Sequence, residues 1–303
     1  MKHRLSLTLL LLAAVGLAGC GKSTSLQSPA GADPAAGTDE AQIAEELQAN
    51  PDFVNEGVWQ DESPMTLDEG SGFAAIRPLR FWREIRRVES NVHTEYLNPD
   101  PDGRPLLALV TIRRHLQGSF NIVAGSASTD DTTRSLVRKP LDDLWTRRIA
   151  LVRFPLPGDT GLSRWRLAGT SGVDVRTRDG DTRLVSLRIQ SGDLDTTITE
   201  PLELHRLRHV LRLSPDVEVR LTATTADPTD VVLFHGFDLR RRFMSHGDGT
   251  HSFRFPSGHF PGLRHFGVDA LSRGTLFDDA EAYDANAWIL AYVVRPERMP
   301  IGS

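Results

Sequence analysis

The spacing of apolar residues predicts one amphipathic helix near the start of the folded part of the chain. The segment Pro78–Ser90 reads PLRFWREIRRVES, with proline at a first helical position and Phe81, Ile85 and Val88 on one helical face. Alternating apolar and polar residues then predict strands at 92–96, 105–116, 119–123, 145–156, 164–170 and 173–177. Because the apolar stripe of a helix needs a sheet to cover, residues 73–180 are expected to form an α+β domain.

One helix followed by about five antiparallel strands resembles the cystatin-like or NTF2-like roll, in which a curved sheet wraps a helix. The resemblance implies a helix-on-antiparallel-sheet architecture and no particular activity, because such folds carry many unrelated functions. A hollow version of this roll would enclose an apolar cavity for a small ligand.

From Thr182 onward the strand pattern becomes regular, with eight short runs separated by turn residues. Gly247-Asp248-Gly249 lies between two alternating runs and supplies the residues that a tight hairpin needs. This spacing predicts a β-sandwich over residues 181–295. The segment resembles the cysteine-free immunoglobulin-like domains of bacterial envelope proteins, which implies an all-β second domain. It lacks the Cys-Trp-Cys core of antibody domains, so its strand topology is left open.

The amino terminus has the pattern of an export signal. A basic segment, Met1–Arg4, precedes the apolar run Leu5–Gly19. As a helix, these 15 residues would reach about 22 Å, short of the roughly 30 Å hydrocarbon core of a bilayer. The run therefore indicates a cleaved signal peptide, residues 1–19, and not a permanent span.

The signal peptide ends in Leu17-Ala18-Gly19-Cys20, which resembles the lipobox of bacterial lipoproteins. The resemblance implies cleavage before Cys20, a diacylglyceryl thioether on its sulfur and acylation of the new amino terminus. Several acyl chains hold a protein on a membrane stably, whereas one chain does not. Gly21 in place of Asp implies the outer membrane under the enterobacterial sorting rule, which varies between bacteria and leaves the inner membrane open.

Residues 20–72 are expected to be a lipidated flexible tether. Residues 21–37 are small and polar, with too little apolar surface to offset the entropy of ordering. Thr38–Asn50 predicts a short helix inside this stretch, with Ile43 and Leu47 at helical spacing. Residues 296–303 are expected to form a tail.

Composition and charge narrow the function classes. The 303 residues are 39% hydrophobic, which excludes wholesale disorder and a protein with many membrane spans. Lys plus Arg number 35 against 40 Asp plus Glu, so nucleic acid is not expected as a partner. Cys20 is the only cysteine, which excludes an intramolecular disulfide and a multi-cysteine metal site.

Three groups of residues are candidates for chemistry, but their patterns predict no catalytic, metal or cofactor site. Asn98–Gly103 fits half of a calcium loop, but the closing Glu is absent and a β-turn is favoured. Carboxylates cluster just before the last strand, in a segment expected to be a solvated loop. Histidines cluster near the carboxyl end and are interpreted as ordinary surface and turn residues: His235, His246, His251, His259 and His265.

The sequence therefore predicts a lipid-anchored protein of the bacterial cell envelope with a non-enzymatic binding or structural role. Its expected partners are the membrane, through Cys20, and an unidentified envelope protein or small ligand. Two alternatives stay open. One is a hydrolase whose dispersed carboxylates and histidines converge in the fold, and the other is a small-ligand or lipid carrier with a cavity in the first domain.

Overall fold

The structure is a computed structural model that describes residues 34–54, 74–126, 133–155, 163–236 and 239–295. The predicted signal peptide, Cys20 and the predicted tail therefore lie outside the described residues. Most of the predicted tether, apart from residues 34–54, lies outside them as well.

The described residues form fifteen strands, three α-helices and one short 3₁₀ helix at Leu207–His209. The α-helices are α1 Pro34–Ala49, α2 Pro51–Val54 and α3 Arg273–Phe277. The strands are β1 Ile76–Pro99, β2 Pro105–Ser126, β3 Arg134–Pro155, β4 Ser163–Thr177, β5 Leu184–Ser191, β6 Leu194–Ile198, β7 His205–Arg206, β8 Leu211–Leu213, β9 Glu218–Thr225, β10 Val231–Gly236, β11 Leu239–Arg242, β12 Met244–Ser245, β13 Thr250–Pro256, β14 Gly262–Leu271 and β15 Ala285–Val294.

Two sheets contain all of these strands. The larger has ten strands, with the path β1-β2-β3-β4-β15-β14-β10-β11 and with β7 and β8 paired beside β4 and β15. The smaller has the order β12-β13-β9-β5-β6. Because β15 pairs with β4, strands from both predicted halves of the chain belong to one hydrogen-bonded sheet.

The predicted combination of an α+β domain and an immunoglobulin-like sandwich is wrong. The segment Pro78–Ser90, expected to be the helix, lies within β1, and the described fold is dominated by antiparallel sheet. The described residues therefore do not form the cystatin-like or NTF2-like roll. The β-sandwich prediction is confirmed only in the coarse sense that two sheets pack face to face around a shared core.

Two β-bulges explain why β1 resembles a helix in the sequence. The register with β2 shifts between Pro78 and Arg80 and again between Ile85 and Arg87. A bulge adds one residue to a strand, so the spacing of inward-facing side chains increases from two to three at these points. The first bulge puts Pro78 and Phe81 three residues apart, and the second does the same for Ile85 and Val88, whereas ordinary alternation puts Phe81 and Ile85 four apart. Phe81, Ile85 and Val88 therefore have the spacing of a helical face, and Pro78 is tolerated because β1 is an edge strand.

Strands at the middle of the large sheet are buried on both faces. Ile289 of β15 packs into a first core, formed with the inner face of β1–β4 and with α1 and α3. Trp288 and Leu290 point the opposite way, into a second core between the two sheets. Alternation of side chains along a strand thus lets β15 join both cores.

Helix α1 lies where the sequence predicts a helix over Thr38–Asn50, and it packs on the sheet. Ile43 and Leu47 are buried in the first core. The Glu46 carboxylate accepts a hydrogen bond from the Leu167 backbone N–H at 3.1 Å. Helix α1 therefore satisfies a backbone donor of β4 that would otherwise face solvent.

Gly118 pairs with Ile85 at the second bulge, and a Cβ at this position would lie 1.9 Å from the backbone oxygen of Glu84. We expect Gly118→Ala to lower the free energy of unfolding by about 3 kcal/mol or more, since the backbone must shift. Gly125→Ala, on the same strand, would contact only side-chain atoms at 3.4 Å or beyond and should change it by less than about 1 kcal/mol. Denaturant unfolding measures both, and equal losses would contradict the bulge.

Candidate functional site

A buried ion pair joins the first long strand to the other side of the molecule. Arg83, on the inner face of β1, donates two hydrogen bonds to the Asp269 carboxylate of β14, at 2.7 and 2.9 Å. The two side chains are 7% and 0% exposed. This bidentate geometry is the strongest form of a side-chain ion pair.

Tyr283 and Asp143 extend the pair into a continuous network. The Arg83 Nε donates to the Tyr283 hydroxyl at 2.9 Å. That hydroxyl donates in turn to Asp143 Oδ2 of β3 at 3.0 Å, and Thr177 Oγ1 of β4 donates to Asp143 Oδ1 at 3.1 Å. The network therefore links β1, β3, β4, β14 and the segment between α3 and β15.

Two further basic side chains, from β10 and β11, border the network. His235 Nε2 lies 3.3 Å from Asp269 Oδ2. The Arg240 guanidinium donates to the Phe81 carbonyl at 3.1 Å and stacks 4.2 Å from the centre of the Phe81 ring. Because Arg240 belongs to one edge strand and Phe81 to the other, the large sheet curls until its two edges meet.

Burial sets the charge states in this network. Burial raises the pKa of Asp143 to about 6, despite the opposing effects of Arg83 and of hydrogen bonds from Tyr283 and Thr177. The pKa of Asp269 lies below its usual range, because the effects of Arg83 and His235 outweigh the opposing effect of burial. Burial lowers the pKa of His235, which favours its neutral form.

A small cavity adjoins Arg83, Asp143 and Tyr283. Its volume is about 20 Å³, close to the minimum that holds one water molecule. The other lining residues are mainly apolar: Ile85, Leu116, Trp145, Val175, Ala285, Ala287 and Ile289. The cavity is a packing defect beside the network and offers no room for a larger ligand.

An open groove of about 620 Å³ lies outside the network, and Tyr283 lines both spaces. The groove runs between the middle of β3, the end of β4, the connection from β9 to β10 and the segment from α3 to β15. Its lining includes Arg178 and Arg273 and seven acidic residues, which are Asp142, Asp179, Asp181, Asp227, Asp278, Glu281 and Asp284. The groove is therefore a region of negative potential.

Three of these carboxylates hold the surrounding loops in place, and a fourth, Asp142, links β3 to β2. Asp284 Oδ2 accepts the backbone N–H groups of Asp181 and Thr182 at 2.9 and 3.0 Å. Asp227 accepts the N–H of Thr229, and Asp278 accepts that of Ala280, both at 2.8 Å. Asp142 makes a short contact with His115. Their partners give these acids a structural role.

The half-calcium loop, Asn98–Gly103, spans the end of β1 and the turn that leads into β2. Asn98 and Gly103 have positive φ angles of 53° and 78°. Asp100 Oδ1 accepts the backbone N–H groups of Asp102 and Arg104 at 2.9 and 2.8 Å. The carboxylate thus closes the turn, as the favoured interpretation expects.

The predicted histidine cluster separates into different environments. His251 lies 3.2 Å from the Thr225 hydroxyl, His246 lies 2.9 Å from Ser252, and His259 lies 2.7 Å from Asp216. Within the part of the chain that the structure describes, no three His, Cys, Asp or Glu side chains are placed to hold a metal ion. His235 alone borders the buried network.

Sequence reasoning missed the residues that form this network. The sequence pattern places Arg83 on a helix, and Asp269 is one polar residue in the apolar run GVDAL. A lone charge among inward-facing apolar positions indicates a buried partner. That signal was present in the sequence, but it does not identify the partner 186 residues away.

Comparison with known proteins adds no family: the chain matches no protein-family model, no curated protein and no solved structure. Among the described residues, no helix combines the length and the apolar character that crossing a membrane requires.

Removing Arg83 should be far more costly than removing a surface arginine of the same strand. Arg83→Met leaves the Asp269 charge buried without its partner, so we expect the free energy of unfolding to fall by about 3–5 kcal/mol. Arg86→Met removes an exposed pair with Glu84 and should leave it nearly unchanged. Urea titration of both variants measures the difference, and similar values for the two would count against the network.

Asp143 should make stability depend on pH in a defined direction. Its pKa rises from the usual 3.8 to about 6 in the folded protein, so the folded state binds more protons between these values. The wild type should therefore lose about 3 kcal/mol relative to Asp143→Asn as pH rises through this window. Unfolding both proteins from pH 4 to pH 7 tests this, and a constant difference would refute the buried, proton-binding carboxylate.

Proposed function

We propose that this chain is a lipid-anchored protein of the bacterial cell envelope with a non-catalytic binding or structural role. The observation that carries the anchor is the order of a basic segment, a short apolar run and Leu17-Ala18-Gly19-Cys20 at the amino terminus. This order supports a diacylglyceryl thioether on Cys20 and, with Gly21, an outer-membrane location. The membrane is then the first partner of the protein.

The contacts among the described residues support a rigid folded body, whose surfaces the lipid anchor would hold at the membrane. Tyr283 and Asp143 are committed to each other and to Arg83. The hydroxyl groups that line the groove are also engaged, since Thr177 donates to Asp143, Thr229 donates to Asp227 and Ser272 accepts from the Thr275 backbone. Groups engaged in this way hold loops together, which favours a binding or structural role.

The two alternative functions differ in their support. The cavity beside Arg83 is about 20 Å³, which is too small for a lipid chain or a metabolite and does not favour a carrier. The hydrolase alternative has one supporting observation, the contact between His115 and Asp142 at the rim of the groove. A hydrolase of this kind would turn over an ester, phosphoester, glycoside or peptide substrate and lose that activity in both His115→Ala and Asp142→Asn.

Cys20→Ser tests the anchor directly. We expect the wild type to incorporate radiolabelled palmitate, to begin at Cys20 in mass spectrometry and to sediment with outer membranes after density-gradient separation. Cys20→Ser should incorporate no label, because the sulfur that carries the lipid is absent. Ser23→Ala, just outside the lipobox, should behave as the wild type. An unmodified Cys20, or a leader still attached in the wild type, would overturn the proposal.

A further inference from the structure

The outer face of the long strands carries an unusual apolar patch at one end. The register aligns Leu97, Leu107 and Val152 in one row across β1, β2 and β3. Leu109 lies on the same face one row further in, and Phe154 lies two residues beyond Val152. These five residues are called the outer patch.

The outer patch faces away from both hydrophobic cores. Ala108 and Leu151, which alternate with its members, are buried in the first core, whereas no member of the patch belongs to either core. Phe154 is 54% exposed, and the other four side chains are partly exposed. The solvent face of an antiparallel sheet is ordinarily polar, so an apolar row here indicates a contact surface.

Along the same face, the apolar patch is followed by basic residues, as in protein surfaces that lie at a membrane interface. Behind the patch, the next rows of the outer face contain Arg148, opposite Thr111, and Arg113, opposite Thr146. Both arginines are exposed, and the exposed Glu95 of β1 lies opposite Leu109. An apolar surface followed by guanidinium groups fits the boundary between acyl chains and anionic headgroups.

The amino-terminal end of α1 lies at the same end of the sheet. Asp39 accepts a hydrogen bond from Arg153 Nη2 at 2.5 Å, and Arg153 Nε donates to the Pro105 carbonyl at 2.8 Å. Pro105 begins β2, two residues before Leu107 of the patch. The chain from Cys20 to Pro34, the first residue of α1, is 14 residues long and spans at most about 50 Å. A bilayer that holds Cys20 is therefore within reach of the patch.

We propose that the outer patch is a membrane-contact surface, which lies against the phospholipid leaflet that holds the lipid anchor. This inference rests on the proposed lipidation of Cys20. The side chains of the patch would enter the headgroup boundary, while Arg148 and Arg113 would lie against lipid phosphates.

Site-specific labelling of the mature lipoprotein tests the contact. Because Cys20 is the only native cysteine and its sulfur would carry lipid, an introduced cysteine is the only free thiol. Phe154→Cys and Val152→Cys place a fluorophore in the patch. Phe260→Cys and Met244→Cys are matched controls at positions 71% and 63% exposed. The full mature chain is reconstituted in vesicles of phosphatidylethanolamine and phosphatidylglycerol that contain a nitroxide-labelled lipid.

We expect the nitroxide lipid to quench the labels at 152 and 154 several-fold more than those at 244 and 260. Equal quenching at all four sites, while the protein still sediments with the vesicles, would overturn the membrane contact and leave the anchor intact. A third outcome is that the labels at 152 and 154 are shielded from water, that this shielding disappears on dilution and that the nitroxide lipid does not quench them. This outcome would overturn the membrane contact and indicate that a second copy of the chain covers the patch. Failure of the wild type to sediment with vesicles would overturn the anchor itself, and the inference with it.

Discussion

The buried pair of Arg83 and Asp269 is the interaction on which the arrangement of this chain depends. Either charge alone in the protein interior would cost several kcal/mol, so each is tolerated only where the other meets it. The partners are 186 residues apart in sequence. Their meeting requires the sheet to curl until β1 lies against β14, and Tyr283 and Asp143 then fix β3 and the last loop to the same point.

This closure explains why the middle of the large sheet is buried on both faces. Strands β14 and β15 face the curled inner surface of β1–β4 on one side and the smaller sheet on the other. Such strands are rich in apolar residues at every position, as in the run WILAYVV of β15. Among the described residues, neither core includes the outer patch of β1–β3, which is the surface proposed to contact lipid.

The local parts of this architecture could be predicted from the sequence, and the long-range parts could not. The runs around Leu107 and Ile149 alternate clearly, and strands were expected there. The spacing of Phe81, Ile85 and Val88 predicts a helix because the bulge after Ile85 separates Ile85 from Val88 by three residues instead of two. A bulge depends on the partner strand, here on the close approach of Gly118, so the sequence of β1 alone does not reveal it. The candidate site could not be predicted for the same reason, because the local sequence around Arg83 or Asp269 does not identify the other residue as its partner. Cys20 is the reverse case, because its proposed role follows from a local motif and lies outside the described residues.

The most direct test of the closure is a double-mutant cycle on Arg83 and Asp269. The free energy of unfolding would be measured for the wild type, Arg83→Met, Asp269→Leu and the double variant. We expect a coupling energy of several kcal/mol, with the double variant more stable than the sum of the two single losses would allow. Additive losses, with a coupling energy near zero, would show that the two side chains do not meet and would contradict the central claim.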